Sequence, residues 1–168
     1  MKTITLRLLL ILSLSFSFYS CTSDEDGIYL DEASAKLNDI SLSYTQMEFE
    51  ILNLINEHRK SVGLNPLNTI NLVSKEAISH TDYMISVGTV SHDNFSNRHQ
   101  KLVKDVSAKK VGENVAYGYR SAKAVVNAWI NSDGHRRNIE NKDYTDFGIS
   151  TKQDANGRNY FTHIFVKR

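Results

Sequence analysis

Three short segments of this chain carry the residue types that could do chemistry. They are Ser91-His92-Asp93-Asn94-Phe95, then Gly112-Glu113-Asn114, then the run from Trp129 to Arg136 that contains His135. Two imidazoles and one carboxylate form the ligand set of a catalytic zinc site with an open fourth position. His92, Glu113 and His135 lie far apart in the sequence, however, without a short ligand-pair spacing such as His-Glu-x-x-His. Spacing alone therefore does not establish a metal site.

The position of His135 favours a neutral imidazole. If Ser132 or Asp133 caps a helix, His135 lies in its first turn, where the positive end of the helix dipole disfavours an imidazolium ion. Arg136 and Arg137 act in the same direction. A neutral histidine is the form that binds a metal or accepts a proton. The alternative is that His92 and His135 form hydrogen bonds that organise the loops around Gly112 and Gly134 and take no part in chemistry.

The remaining histidines carry weaker signals. His58 and His80 fall in helical segments and are more typical of packed structural histidines, and His99 and His163 have still less context. A serine hydrolase is disfavoured because Ser132, which could approach His135, would use its oxygen on backbone N–H groups as a cap.

The N-terminus has the pattern of an export signal. Residues 1–20 combine a basic start with an apolar run of about 12 residues, which is too short to span a bilayer as a helix. Cys21, the only cysteine of the chain, follows this run directly and resembles the acylated cysteine of a bacterial lipobox. We therefore expect a signal peptide at 1–20 and a lipidated, acidic tether at 21–43, with a plain signal peptide as the alternative.

Length and charge limit what the rest of the chain can be. Residues 44–168 have the size of one ordinary domain. The formal net charge of the chain is +1, which points to neither nucleic acid nor an anionic membrane as a partner. The predicted signal peptide and lipidated cysteine place the protein in the bacterial cell envelope, at the outer membrane. If the acidic tether also acts as a surface-export signal, the protein would be exposed on the cell surface.

The order of the elements predicts a mixed α+β domain. Thr45-Gln46-Met47-Glu48 has the form of a capping box and opens a first helix that Gly63 stops. Helical spacing recurs further on, and two alternating runs flank the Asn156-Gly157 turn, which is a hairpin signal. The predicted helices are Leu72–Val87, Ser96–Val106, one capped by Ser121 with Trp129 in the core, and one over His135–Asn141. The predicted strands are Thr145–Lys152 and Asn159–Lys167, and Lys110–Ala116 is predicted to be either a strand or an extended loop.

Taken together and in order, these motifs resemble the CAP superfamily. This is the SCP-domain family of cysteine-rich secretory proteins, venom antigens, pathogenesis-related proteins and bacterial secreted proteins. The resemblance rests on Asn56-Glu57-His58-Arg59, the three segments above and Tyr144-Thr145-Asp146-Phe147-Gly148, and it runs from about Met47 to Val166. It implies a three-layer α-β-α sandwich with a central antiparallel sheet and a cleft.

The resemblance also implies which residues line the cleft. Carried over by motif, they are the histidines His92 and His135, the carboxylate Glu113 and its neighbour Asn114. The family's second acidic residue commonly stands three positions after the tryptophan, and here that position is Ser132. A mechanism that needs two carboxylates is therefore disfavoured.

Two classes of function follow. The first is a non-enzymatic binding module, anchored to the membrane through Cys21, that uses the cleft for a small molecule, a lipid or a protein, with or without a divalent metal such as zinc. The second is a metal-dependent hydrolase or peptidase, in which His92 and His135 hold the ion and Glu113 polarises a water. The single carboxylate favours the binding module.

Overall fold

The computed structural model of the chain describes residues 41–168. The predicted signal peptide, Cys21 and most of the tether lie outside the described residues, so export and lipidation remain predictions. Among the helices of the described part, none has the length and apolar character needed to cross a bilayer.

Helices come first and the long hairpin comes last, as predicted. The first helix, α1, begins with the predicted capping box, because the Thr45 hydroxyl accepts from the Glu48 N–H at 3.2 Å and the Glu48 carboxylate accepts from the Thr45 N–H at 2.8 Å. Along residues 41–168 the elements are α1 Gln46–Ser61, β1 Asn68–Thr69, α2 Asn71–Val87, α3 Phe95–Val106, β2 Lys110–Tyr117, α4 Ala122–Asn131, α5 Asp133–Ile139, β3 Asp146–Gln153 and β4 Asn159–Lys167.

One helix ends earlier than its sequence pattern indicates. Helix α5 stops at Ile139 rather than at Asn141. The guanidinium group of Arg59 donates to the carbonyl oxygens of Ile139 at 2.7 Å and Asn141 at 3.0 Å. The last carbonyls of a helix have no N–H partner within the helix. Here the buried side chain of Arg59 supplies the hydrogen bonds that a further helical turn would otherwise provide.

The four described strands form one sheet in the order β1-β3-β4-β2. The hairpin pair β3–β4 is antiparallel, as predicted. The pair β2–β4, which was not predicted from the residues, is also antiparallel, whereas β1 pairs parallel to β3 through Asn68 and Asp146. Strand β1 was not predicted, because two residues directly after a proline loop show no alternating pattern. The order places β2 at one edge of the sheet.

The sheet lies between two helical layers, which confirms the predicted three-layer sandwich. On β4, Phe161 and Phe165 pack with α1, α4 and α5, whereas Ile164 and Val166 pack with α2 and α3. This alternation follows from the two-residue period of a strand. Trp129 is in the first of these clusters, as predicted, and its indole N–H donates to the Val115 carbonyl at 3.2 Å.

Candidate functional site

The candidate site is built at the edge strand β2. Glu113 is paired with Ile164 and Asn114 with His163 in the antiparallel register, so these neighbours point to opposite faces of the sheet. Glu113 therefore faces the layer of α2 and α3, and Asn114 faces the layer of α4 and α5. The preceding Gly112 lets the side chains of Tyr144 and Asn138 lie against the backbone, where a Cβ atom would overlap the Tyr144 hydroxyl. One three-residue motif thus contacts both helical layers.

Two side chains, those of Arg98 and His92, donate hydrogen bonds to the carboxylate of Glu113. Arg98 on α3 donates from Nε to Oε2 at 2.8 Å and from Nη2 to Oε1 at 2.7 Å. His92, in the loop between α2 and α3, donates from Nδ1 to Oε1 at 2.8 Å. The Glu113 side chain is 1% exposed. This two-point contact with Arg98 fixes both carboxylate oxygens in one orientation.

These partners keep Glu113 ionised. Burial by itself would raise the pKa of the Glu113 carboxyl, but the hydrogen bonds from His92 and Arg98 and the positive charge of Arg98 outweigh it. The pKa of Glu113 is therefore lowered from its usual value. A carboxylate with a lowered pKa is a weak base.

The two histidines of the motif differ in exposure and contacts. His92 is half exposed, with 53% of its side chain open to solvent, and its Nδ1 is used on Glu113. His135 lies in the first turn of α5, as predicted, and is partly buried. Burial and then the nearby His92 lower the pKa of His135. The predicted neutrality of His135 is thus supported, although burial, and not the helix dipole, is its main cause.

Asn114 is buried and hydrogen-bonded, and its side chain is not open to the cleft. Its side chain is fully buried and donates from Nδ2 to the His135 carbonyl at 3.1 Å. Asn138 on α5 donates to the Asn114 side-chain oxygen at 2.8 Å and to the Glu113 carbonyl at 3.1 Å. These bonds tie α5, and with it His135, to the edge strand.

Ser132 joins α4 to α5. It occupies the position before the first residue of α5, but its hydroxyl makes no capping bond there. The expectation that this cap would occupy the Ser132 oxygen is therefore wrong, and the cap no longer argues against a serine hydrolase. The backbone of Ser132 serves both helices, since its N–H donates to Trp129 and its carbonyl accepts from Arg136. The position at which the family commonly has its second acidic residue is thus occupied by Ser132, a partly exposed and uncharged side chain.

A cavity of about 330 Å³ opens beside this group. Phe95 and Val111 give it an apolar part, and His92 and Glu113 give it a polar end. A volume of this size lies at the lower limit of typical small-molecule sites, which enclose about 300–1,000 Å³. The remaining lining residues are Gly112, Asn138 and Tyr144.

Residues 52–166 match the family model of CAP, the cysteine-rich secretory protein family. The chain belongs to the CAP family. It is 33% identical over 127 residues, or 74% of its length, to the uncharacterized membrane protein YlbC of Bacillus subtilis (strain 168), and this match covers 35% of YlbC. The chain thus spans about a third of that relative.

Two solved CAP-type structures are also similar to the chain. An outer surface protein from Borrelia burgdorferi is 27% identical, with a TM-score of 0.67, and the match covers 75% of this chain and 96% of that one. An extracellular protein containing a SCP domain from Bacillus anthracis str. Ames is 25% identical, with a TM-score of 0.64, over 76% of this chain and 45% of that one. The three-layer fold of the CAP domain is thereby confirmed.

Sequence analysis missed the main partner of the CAP-domain carboxylate. Arg98 is 7% exposed and lies on the same face of α3 as Leu102 and Val106. Its helical spacing of four residues to Leu102 was the available signal, since an arginine in an apolar stripe needs a buried partner. His80 was interpreted as a structural histidine, and its Nε2 does bond the Ser91 carbonyl at 2.8 Å, but it also lies 3.8 Å from Glu113 Oε1.

His92, Glu113 and His135 do not together form a good three-ligand metal site. Within residues 41–168, no group of three or more histidine, cysteine, aspartate or glutamate side chains is placed to hold a metal ion. Both oxygens of Glu113 already accept hydrogen bonds, and the cation Arg98 is in contact with them. The imidazoles of His92 and His135 are the groups that remain available.

Proposed function

We propose that the chain is an exported, extracellular CAP-domain binding module, and that its ligand site is the cavity beside His92 and Glu113. The observation that carries this proposal is the engagement of both Glu113 oxygens by Arg98. A hydrolase of the alternative class would need this carboxylate to accept a proton from water. Here the carboxylate is buried, paired and held at a lowered pKa. Such a group supports a fixed binding surface better than a proton transfer.

A divalent cation such as zinc is part of this proposal, with His92 and His135 as the residues that would hold it. His92 donates Nδ1–H to Glu113, which leaves Nε2 without a proton in the neutral ring. An imidazole whose other nitrogen donates to a carboxylate is the usual arrangement of a metal-binding histidine. The lowered pKa of His135 keeps that ring in the metal-binding form. When bound, the cation would supply a Lewis-acidic point for an oxygen or nitrogen atom of the ligand.

The location of the module is proposed from the N-terminus and from the relatives. Residues 1–20 carry the pattern of a signal peptide, and the similar structures are an outer surface protein and an extracellular protein. We propose that Cys21 is acylated and that the acidic residues behind it form a tether to the domain. The mass spectrum of the mature protein should show a diacylglycerol addition at Cys21, and an unmodified mature N-terminus would remove the anchor.

Zinc calorimetry tests the metal site. The wild-type domain should bind zinc, whereas His92→Ala and His135→Ala should each lose most of the binding. His58→Gln is the matched control, because it also removes a histidine but can keep the hydrogen bond to Glu140. Zinc uptake by both alanine variants at the wild-type level would overturn the metal site.

A hydrolysis screen separates the two classes of function. Wild type and Glu113→Gln are compared on peptide and ester substrates, with and without zinc, after circular dichroism has shown that both are folded. We expect no zinc-dependent turnover by either protein. Zinc-dependent turnover that disappears in Glu113→Gln would replace the binding module with the hydrolase.

A further inference from the structure

The cavity beside His92 and Glu113 wraps around the edge of strand β2 that has no neighbouring strand, called the free edge below. Side chains from both helical layers line it. Those on the side of α2 and α3 are His92, Phe95, Val111 and Glu113, and those on the side of α4 and α5 are Gly112, Asn138 and Tyr144. A ligand in this cavity would therefore lie along the edge of the strand and not on one face of the sheet.

The main chain of β2 directs hydrogen-bonding groups toward this free edge. In an antiparallel pair, alternate residues point their N–H and C=O groups away from the partner strand. Glu113 is one of these residues, because its carbonyl accepts from the side chain of Asn138 on α5 at 3.1 Å. Gly118 is of the other kind, because its N–H donates to the carbonyl of Asn159 on β4 at 2.8 Å. Val111, two residues before Glu113, therefore also points its N–H and C=O outward.

These two main-chain groups of Val111 are open. The residue is partly exposed and lines the cavity, and its outward N–H and C=O have no partner among residues 41–168. A free N–H and a free C=O on one residue of an edge strand match the main-chain groups of another extended chain. The free edge is short, since Asn138 already occupies the carbonyl of Glu113.

A second pair of unused polar atoms lies beside Gly112. Tyr144 is 4% exposed, and its hydroxyl lies against Gly112 without a hydrogen bond to any residue in the described part of the chain. Solvent still reaches this oxygen from the cavity. Asn138 donates from Nδ2 to two oxygen atoms, and its Oδ1 is an unpaired acceptor next to the same glycine. A ligand hydroxyl can accept from Tyr144 and donate to Asn138 at once.

Strand periodicity decides which ligand side chain would meet which wall. A residue placed opposite Val111 has its side chain on the same face as Val111, and the next residue has its side chain on the other face. The first side chain would meet the apolar groups of Phe95 and Val111, and the second would meet Tyr144 and Asn138. The carboxylate of Glu113 is already paired with a guanidinium group, so nothing in the cavity calls for a charged side chain.

We propose that the cavity binds a short, extended, uncharged peptide that adds as a strand to β2 at Val111. An apolar side chain of the peptide packs on Phe95, and the serine or threonine side chain next to it bonds Tyr144 and Asn138. This inference rests on the proposed function, because it names the ligand class of the same cavity. The pairing with β2 itself uses no metal.

NMR titration of the mature chain with blocked peptides, in the presence of EDTA, tests the pairing. Acetyl-Val-Thr-Val-Thr-amide should cause a saturable shift of the Val111 amide signal, with a dissociation constant of about 1 mM or lower. Two isomers of this peptide, one methylated on both valine nitrogens and one on both threonine nitrogens, are the matched controls. One isomer should lose binding and the other should keep it, because only alternate N–H groups of an extended peptide face β2.

Two pairs of measurements locate the peptide. Val111→Pro removes the outward N–H at a position where an edge strand tolerates proline, and it should abolish binding, whereas Val111→Thr keeps the main-chain groups and should bind as wild type. Tyr144→Phe gives an independent test whether or not the proline variant folds. It should weaken the threonine peptide by about threefold to tenfold, the effect of one hydrogen bond, and leave acetyl-Val-Ala-Val-Ala-amide unchanged.

The proposal is overturned if the threonine peptide causes no saturable shift, if both methylated isomers bind equally well, or if Val111→Pro is folded and binds as wild type. A shift of the Val111 amide that depends on protein concentration without any peptide would assign the free edge to a second copy of the chain and also overturn it. Shifts confined to His92 and His135 would remove strand addition but leave the cavity as a ligand site. The proposed metal site is decided separately, by the zinc calorimetry.

Discussion

Replacing His163 by leucine should stabilise the protein, and most of the gain should appear in acid. His163 lies on the central strand β4, is fully buried, and has its ring centroid 4.4 Å from that of Phe165 and 5.2 Å from that of Phe147. Neither ring nitrogen has a hydrogen-bond partner within residues 41–168. Burial lowers the pKa of His163 from 6.5 to about 3.

The pH dependence follows from the direction of this shift. Between about pH 6.5 and pH 3 the unfolded chain holds a proton at His163 that the folded protein excludes, so stability falls as the pH falls. Above the unfolded pKa neither state binds the proton and His163 has no effect on the pH dependence. At about 1.4 kcal/mol per pH unit, the loss from His163 alone is about 3 kcal/mol at pH 4.5 and approaches about 5 kcal/mol near pH 3. This is a large part of the ordinary stability of a domain, about 5–15 kcal/mol.

At neutral pH the leucine variant should show a smaller gain. A buried polar group without a partner costs about 1–3 kcal/mol, and the lost ring contacts would offset about 0.5–1.5 kcal/mol of that. The net gain is therefore about 1 kcal/mol. His163→Gln is the matched control, since it removes the titrating group but keeps buried polar atoms. It should flatten the pH dependence without the gain at neutral pH.

Urea unfolding followed by circular dichroism at several pH values provides the measurement. The quantity of interest is the difference in unfolding free energy between each variant and wild type, because His80, His135 and Glu113 also have lowered pKa values and contribute to the pH dependence of all three proteins. For His163→Leu this difference should grow by about 3 kcal/mol from neutral pH to about pH 4.5. A difference that stays constant over this range would show that His163 is not excluded from protonation, and would refute the reasoning.

Two further predictions concern the candidate site. Arg98→Met should lower the unfolding free energy by about 3–5 kcal/mol, because it leaves the buried Glu113 charge without its cation. In urea unfolding, the double variant with Glu113→Gln should recover much of this loss. If the double variant shows no recovery, the loss is not an effect of the unpaired charge. Gly112→Ala should cost about 1–3 kcal/mol in thermal unfolding, because the added Cβ would overlap the Tyr144 hydroxyl. Part of that loss should disappear in a Tyr144→Phe background, where the added Cβ would still meet Asn138 Oδ1 at 2.9 Å. An equal loss in both backgrounds would rule out the contact with the hydroxyl.

The accuracy of the sequence analysis depended on how local each signal was. The capping box at Thr45 and the hairpin around Gly157 are encoded within a few residues, and both were predicted. Strand β1 was missed because its two residues pair with β3, which is distant in the sequence. The same limit applies to the site, since the contact of Arg98 with Glu113 depends on how α3 packs on β2, which no local pattern specifies.

The Gly-Glu-Asn motif can be understood from the two-residue period of the edge strand. Gly112 admits the Tyr144 hydroxyl, Glu113 reaches Arg98 in one helical layer, and Asn114 reaches α5 in the other. Since each residue has a different neighbour, a one-residue register slip would exchange the buried charge with the buried amide and leave both without partners. The motif therefore stabilises the register of β2 and, through it, the relative positions of the two layers that carry the candidate site. A cleft held in this way is preformed, and a preformed cleft reduces the ordering cost of binding a ligand.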